Sequence, residues 1–139
     1  MISNKNVLAI TLARGGSKSI YKKNIALLKN KPLISYTINA ALDSKYIDEY
    51  IISTDDKEIA DVAENLGATV PFLRPENLSS DTASSADALI HAVNAYEEIT
   101  KKKYHYIIEL MCTNPFKSGE MIDDIIFTLD RNEKADAVI

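Results

Sequence analysis

Short apolar runs alternate along this chain with longer segments of helical periodicity, and this alternation restricts the possible folds more than any other feature. Candidate strands occupy Val7–Leu12, Glu49–Ser53 and residues 69–72, 106–110 and 135–139. The first, second and fourth runs are almost continuously apolar, as expected of parallel strands that are covered on both faces.

Four segments between these runs place apolar residues on one face of a helix. The stripes are Ile34, Ile38 and Ala41 in a helix opened by Pro32; Ile59, Val62, Ala63 and Leu66; Leu89, Ile90, Val93 and Tyr96; and Ile122, Ile125, Ile126 and Leu129. Alternating strands and helices predict an α/β fold, with a Rossmann-like, mostly parallel sheet and helices on both faces.

Length, charge and cysteine content limit the class of protein. The 139 residues fit one domain, and the net charge of −4 does not favour general nucleic-acid binding. Cys112 is the only cysteine, so no intrachain disulfide can form. The first apolar run is too short to span a membrane, and we expect a cytoplasmic protein. Because the sequence stops within its last apolar run, we expect residues 1–139 to form one nucleotide-binding domain that is incomplete at its C-terminal end.

A glycine-containing basic loop follows the first strand, where doubly wound sheets bind their ligands. Gly15 and Gly16 allow a tight turn whose N–H groups can face an anion. Arg14, Lys18, Lys22 and Lys23 add positive charge within ten residues of an otherwise acidic chain. The loop matches neither a Walker A sequence nor the three-glycine dinucleotide fingerprint. The pattern favours a polyphosphate cradle, with a solvated basic loop as the alternative.

Several motifs in a fixed order carry a resemblance to a known family. They are residues 13–18 (Ala-Arg-Gly-Gly-Ser-Lys) with Lys23-Asn24, residues 31–34 (Lys-Pro-Leu-Ile), 53–56 (Ser-Thr-Asp-Asp), 73–76 (Leu-Arg-Pro-Glu), 80–85 (Ser-Asp-Thr-Ala-Ser-Ser) and 113–116 (Thr-Asn-Pro-Phe). Together the motifs resemble the acylneuraminate (CMP-sialic acid) cytidylyltransferases, and the likeness covers essentially the whole chain. The resemblance implies a nucleotide-diphospho-sugar transferase fold.

The resemblance also implies an activity and a set of site residues. The reaction would transfer CMP from CTP to the anomeric hydroxyl of a nine-carbon 2-keto sugar acid and release pyrophosphate, with Mg²⁺ or another divalent cation sharing the phosphate charge. Arg14 and Lys18 would stabilise charge in the transition state. The nucleotide-binding residues would be Arg14, Gly15, Gly16, Ser17, Lys18, Lys23, Asn24, Arg74, Ala83 and Ser85, of which the last three would shape the cytosine pocket.

One departure from the family pattern bears on the acceptor sugar. Where the family shows a Gln-Pro-Thr-Ser-Pro-Leu-Arg-like loop, this chain has Met111, Cys112, Thr113 and Asn114, and Met111 replaces a hydrogen-bonding side chain. We expect Met111, Thr113 and Asn114 to face the acceptor. N-acetylneuraminate and a legionaminic- or pseudaminic-type acid both stay open as the acceptor.

Other acidic, histidine and cysteine side chains have simpler explanations. The pair Asp55 and Asp56 is explained by helix capping at Asp55 and by solvent exposure at Asp56, so the metal ligands stay unassigned and are expected beyond residue 139. His91 and His105 lack a paired ligand spacing and are interpreted as structural or surface residues. Cys112 is interpreted as a small buried hydrophobe.

Two alternatives to the sialic acid assignment remain. One is a nucleotidyltransferase of the same architecture that uses an eight-carbon keto-sugar acid or another nucleoside triphosphate. The other is a nucleotide-binding module without turnover, which a shortened chain would also resemble. The resemblance further implies that the full-length protein is a homodimer, with no nucleic acid or membrane partner.

Overall fold

The computed structural model describes residues 1–15, 26–78, 84–112 and 118–132, and the candidate strand at residues 135–139 lies outside them. The elements in chain order are β1 (Val7–Leu12), β2 (Leu27–Leu28), β3 (Lys31–Pro32), α1 (Leu33–Asp43), β4 (Glu49–Ser53), α2 (Lys57–Asn65), a 3₁₀ turn (Glu76–Leu78), α3 (Ser85–Thr100), β5 (Tyr106–Glu109) and α4 (Gly119–Arg131). No helix among these residues is long and apolar enough to cross a membrane.

The main sheet of the described residues has three parallel strands in the order β4-β1-β5. Leu12 lies opposite Ser53, and Ile10 lies opposite Glu109. The short strands β2 and β3 form a separate antiparallel pair that leads into α1. Because all three main strands run in one direction, their carboxyl ends meet at a single edge of the sheet.

Successive residues of the central strand β1 point into two different layers of the core, because side chains alternate between the faces of a strand. Val7 and Ala9 belong to a buried cluster that also contains apolar residues of α1, α2 and α4. Leu8 and Ile10 belong to a second cluster, in which they pack with residues of α3. The predicted α/β sheet with helices on both faces is therefore confirmed.

The apolar stripes of α1 and α2 agree with the sequence analysis. Ile34, Ile38 and Ala41 are buried, as are Ile59 and Ala63. The helix α1 begins at Leu33, so Pro32 is its N-cap rather than its first helical residue. Gly67 follows the C-cap of α2 with a positive φ of 97°, a backbone conformation that glycine adopts at little cost.

The predicted stripe of α3 is wrong at one position. Ile90 is 59% exposed, whereas Ala88, Ala92 and Tyr96 are buried. The helix turns its small residues toward β1, since alanine lets a helix approach a sheet closely. In α4 the buried residues include Ile122 and Ile126, and Ile125 is exposed.

The predicted strand at residues 69–72 does not form a continuous ladder. Instead, two isolated parallel bridges join Thr69 to Ile51 and Leu73 to Thr54. Pro71 lies between the bridges, and proline has no N–H group to donate to a neighbouring strand. The segment still runs along β4, and the backbone N–H of Arg74 donates to the carbonyl oxygen of Thr54 over 2.7 Å.

The direction of α3 brings its first turn to the carboxyl edge of the sheet. Near the other end of this helix, Glu97 accepts a hydrogen bond from the backbone N–H of Tyr104 over 3.2 Å. The Tyr104 hydroxyl in turn donates to Glu49, the first residue of β4. The C-terminal end of α3 therefore lies at the amino edge of the sheet, and Ser85 begins the helix on the opposite side, where the strands end.

Candidate active site

The loop after β1 starts beside the end of β4. The backbone N–H of Ala13 donates to the carbonyl oxygen of Ser53 over 2.9 Å, which extends the pairing of the two strands by one residue. The next residues on the two strands, Arg14 and Gly15 on one side and Thr54 and Asp55 on the other, consequently face each other. The predicted phosphate loop thus leaves the sheet directly alongside the Ser-Thr-Asp-Asp motif.

Two consecutive carboxylates contact Gly15. The Gly15 N–H donates to Oδ1 of Asp55 over 2.8 Å. A Cβ atom added to Gly15 would lie 2.6 Å from Oδ2 and 2.8 Å from Cβ of Asp56. Glycine is therefore required here by the close approach of Asp56, and its N–H group is directed at a carboxylate of the protein.

The capping role predicted for Asp55 is wrong, and Asp56, which was interpreted as a solvent-exposed residue, has that role instead. Asp56, the residue directly before the first helical residue Lys57, caps α2, and its Oδ1 accepts a hydrogen bond from the N–H of Ile59 over 3.0 Å. Asp55 lies one residue too early to cap and binds Gly15 instead. The sequence did carry a signal for this contact, since Asp55 follows the predicted strand Glu49–Ser53 by two residues, just as Gly15 follows the predicted strand Val7–Leu12 by three.

Arg74 is a buried cation at the same edge of the sheet. Only 7% of its surface is exposed, and its Nε and Nη2 atoms are buried with no hydrogen-bond partner among the described residues. A buried polar group without a partner costs about 1–3 kcal/mol, and a charged group costs more. Such an unsatisfied guanidinium is typical of a site that is completed by a ligand.

Burial and two charged neighbours together set the protonation equilibrium of Arg74. Burial lowers the pKa of its guanidinium below the ordinary arginine value, and the nearby charge of Asp55 opposes this change. The positive charge of Arg14 lowers the pKa of Arg74 further. Arg14, Asp55 and Arg74 therefore form one electrostatic group, which brings together residues from three separate sequence motifs.

Two further predicted site residues reach the carboxyl edge on other elements. Ser85 is the exposed first residue of α3, whose N-cap Ser84 accepts a hydrogen bond from the N–H of Asp87. Met111 follows β5 and is 58% exposed. Its neighbour Leu110 is held on β1 by a 2.9 Å bond from its N–H to the Ile10 carbonyl oxygen. The nucleotide- and sugar-binding roles of these residues stay predictions.

The remaining predicted site residues lie outside the described part of the chain. They are Gly16, Ser17, Lys18, Lys23, Asn24, Ala83, Thr113 and Asn114. Their predicted roles therefore rest on the sequence.

The described residues contain no ready-made metal site. They contain no group of three histidine, cysteine, aspartate or glutamate side chains that could hold a metal ion. At the site itself, Asp55 and Asp56 accept hydrogen bonds from Gly15 and Ile59.

The histidines and the cysteine contact neighbouring residues of the fold, and Nδ1 of His91 is buried with no hydrogen-bond partner among the described residues. Nδ1 of His105 accepts the N–H of Asn6 over 3.1 Å just before β1, at the amino edge of the sheet. The ring of His91 packs edge-on against Phe72 with 5.1 Å between centroids. Cys112 is buried, as expected.

Comparison with known sequences identifies relatives over most of the chain. A family model described as cytidylyltransferase matches residues 8–138. The chain is 41% identical over 116 residues to CMP-N,N'-diacetyllegionaminic acid synthase of Legionella pneumophila, covering 84% of this chain and 50% of that protein. It is 42% identical over 115 residues to pseudaminic acid cytidylyltransferase of Campylobacter jejuni, covering 83% and 49%. It is 36% identical over 133 residues to N-acylneuraminate cytidylyltransferase of Escherichia coli, covering 96% and 30%.

The chain thus spans about half the length of the first two relatives and 30% of the length of the third. Among solved structures, a CMP:2-keto-3-deoxy-manno-octonic acid synthetase complexed with CTP has the same fold, with a TM-score of 0.77 and 18% identity. The similarity covers 94% of this chain and 49% of that structure. A cytidylyltransferase of Leptospira borgpetersenii superimposes with a TM-score of 0.70 at 16% identity, covering 94% and 51%. The resemblance inferred from the ordered motifs is confirmed, and the chain belongs to the cytidylyltransferase family.

Proposed function

We propose that this chain binds CTP at the carboxyl edge of its sheet and serves the transfer of CMP to a nine-carbon 2-keto sugar acid. The observation that carries the proposal is the buried guanidinium of Arg74, whose Nε and Nη2 atoms have no partner among the described residues. Those donors lie in one electrostatic group with Arg14, at the start of the basic loop. Membership of the cytidylyltransferase family supports CTP as the nucleotide.

The proposed reaction is an in-line displacement at the α-phosphorus of CTP. The anomeric hydroxyl oxygen of the sugar acid forms a bond to this phosphorus, and its proton passes to water. The bond from the α-phosphorus to the oxygen bridging the α- and β-phosphates breaks, and pyrophosphate leaves with the electron pair. Negative charge spreads over the phosphoryl oxygens, so the protein contributes mainly positioning and positive charge. Arg14 and Lys18 are proposed to supply that charge.

A divalent cation belongs to this proposal as a charge-neutralising partner of the triphosphate. Its ligands are proposed to lie beyond residue 139; the described residues contain no group of three side chains that could hold it. The homodimer implied by the resemblance is likewise a proposal for the full-length protein.

Lys18→Ala is expected to lower turnover of CTP about a hundredfold or more while changing the melting temperature little, because a loop lysine contributes charge to the transition state. Lys102→Ala is the matched control, since this exposed lysine lies at the amino edge beside Glu49. Pyrophosphate release and thermal unfolding of both variants test the assignment. Where turnover is too slow to measure, the ratio of CTP dissociation constants replaces it. Parallel losses of activity and of melting temperature in Lys18→Ala would refute the assignment.

The acceptor is proposed to be a legionaminic- or pseudaminic-type acid rather than N-acetylneuraminate. An exposed, apolar Met111 follows β5 where the family pattern has a hydrogen-bonding residue. Among the relatives, the two proteins named for legionaminic and pseudaminic acids are more similar in sequence to this chain than the Escherichia coli protein named for N-acylneuraminate.

Pyrophosphate release from CTP in the presence of each sugar acid tests both parts of the proposal. Release that depends on a legionaminic- or pseudaminic-type acid is the expected result. A preference for N-acetylneuraminate would contradict the proposed acceptor and leave the transfer reaction in place. A preference for an eight-carbon keto-sugar acid would support the alternative nucleotidyltransferase.

A further inference from the structure

We propose that Asp55 is a positioning residue for the nucleotide site and that it anchors the start of the basic loop at Gly15. The proposal rests on the proposed binding of CTP. The sequence predicts that Asp55 caps a helix, a role that the structure gives to Asp56 instead.

The anchor holds Gly15 from two sides. Asp55 accepts the Gly15 N–H over 2.8 Å, and Asp56 fills the space where a side chain of residue 15 would lie. Asp56 is itself fixed by the N–H of Ile59, and its own N–H donates to Oγ1 of Thr54 over 3.2 Å. The start of the loop is consequently attached both to the end of β4 and to the first turn of α2.

This contact changes the role of Gly15 within the loop. An N–H group that donates to Asp55 is not available to a phosphate oxygen, so Gly15 acts as the anchor of the loop. The donors for the triphosphate would then be the basic side chains that follow it in sequence, while Arg74 keeps its predicted place at the cytosine pocket. A fixed Gly15 sets where the loop leaves the sheet, and preorganisation of this kind lowers the entropic cost of binding a ligand.

If only the charge of Asp55 mattered, Asp55 would weaken the binding of CTP, whereas an anchoring role would strengthen it. CTP is strongly anionic, and a carboxylate in the same electrostatic group as Arg14 and Arg74 repels it. If Asp55 acted only through its charge, its removal would tighten the binding of CTP. If it acts by positioning, its removal weakens binding even though the site becomes more positive. The two accounts therefore predict changes of opposite sign.

The test compares Asp55→Ala, Asp55→Asn and Asp61→Ala in the whole chain. Asparagine keeps a side-chain oxygen that can accept the Gly15 N–H and removes the charge. Asp61 is an exposed residue of α2 whose ion pair with Lys57 is also exposed, so Asp61→Ala controls for the loss of one negative charge. The measurements are the dissociation constants of CTP and of inorganic triphosphate, and the exchange rate of the Gly15 amide proton by NMR without nucleotide.

The positioning account predicts that Asp55→Ala weakens the binding of CTP and of triphosphate about tenfold, as for the loss of one hydrogen bond to a charged group. The dissociation constants of Asp55→Asn should remain within about threefold of those of the parent protein. Asp61→Ala should have the same dissociation constants as the parent protein. The Gly15 amide should exchange faster in Asp55→Ala than in the other variants. Equal or tighter binding by Asp55→Ala, or an unchanged exchange rate at Gly15, overturns the proposal.

The exchange measurement separates this inference from the proposed function. A parent protein that binds neither CTP nor triphosphate contradicts the proposed function. The exchange rate of the Gly15 amide proton still tests the contact between Asp55 and Gly15 in that case. Faster exchange in Asp55→Ala supports the contact, and unchanged exchange overturns it.

Discussion

Replacing Arg74 by methionine is expected to abolish most CTP binding and, at the same time, to stabilise the folded protein. The guanidinium is buried, and its Nε and Nη2 atoms lack partners among the described residues. Methionine is unbranched and flexible, so it replaces the aliphatic part of the arginine side chain and leaves no buried charge. The free energy of unfolding should therefore rise by about 1–3 kcal/mol. The affinity for CTP should fall about a hundredfold, because several charge-assisted hydrogen bonds to the nucleotide are lost.

Arg74→Lys is the matched variant for this experiment. Lysine keeps the positive charge but lacks the planar set of donors, so it should bind CTP weakly and gain little stability. Urea unfolding and calorimetric titration with CTP measure the two quantities separately. If Arg74→Met loses stability and keeps its affinity for CTP, Arg74 is a structural residue and the assignment of the site is wrong.

Replacing Ile10 by alanine is expected to destabilise the protein by about 3–4 kcal/mol. Ile10 is fully buried in the central strand, where it packs in the layer between the sheet and α3. Large-to-small substitutions at such positions remove apolar contacts and leave a cavity, at a cost of about 2–5 kcal/mol. A domain of this size is stable by only about 5–15 kcal/mol, so the loss should be evident in both urea and thermal unfolding.

Ile90→Ala provides the control for this core substitution. The same change of side chain on α3 removes a residue that is 59% exposed, and alanine favours helix formation. Its free energy of unfolding should change by less than about 0.5 kcal/mol. A large decrease in the free energy of unfolding of Ile90→Ala would instead support the helical stripe predicted from the sequence. It would also contradict the orientation of α3 in the structure.

The sequence predicted the layers of the fold because the central strands are short and continuously apolar. The bounds of β1 and β4 agree with the prediction, and so do the buried faces of α1 and α2. The predictions were wrong where the spacing of apolar residues did not determine which residues pack against the sheet. In α3, two neighbouring helical faces both carry apolar residues, and only packing against β1 selects the one with the alanines. At residues 69–72, apolar composition suggested a strand that Pro71 interrupts.

The site was predicted less completely than the fold. Arg74 was recognised from a motif, but its burial and its unpaired donors are properties of the tertiary structure. The helix cap was assigned to Asp55 instead of Asp56, because a pattern of two adjacent carboxylates does not reveal which one faces the neighbouring strand. The contact between Asp55 and Gly15 joins residues that are far apart in sequence and adjacent at the sheet edge.

The most direct test of the account is thermal unfolding of this chain with CTP, UTP, ATP and GTP, each with and without magnesium. A ligand that binds only the folded state raises stability by RT ln(1 + [L]/Kd), which is about 2.7 kcal/mol at a hundredfold excess over Kd. The account predicts a CTP-selective increase in melting temperature of roughly 5–10 °C under those conditions. Equal shifts with all four nucleotides, or no shift with any of them, would contradict a cytidine-specific site at the carboxyl edge of the sheet.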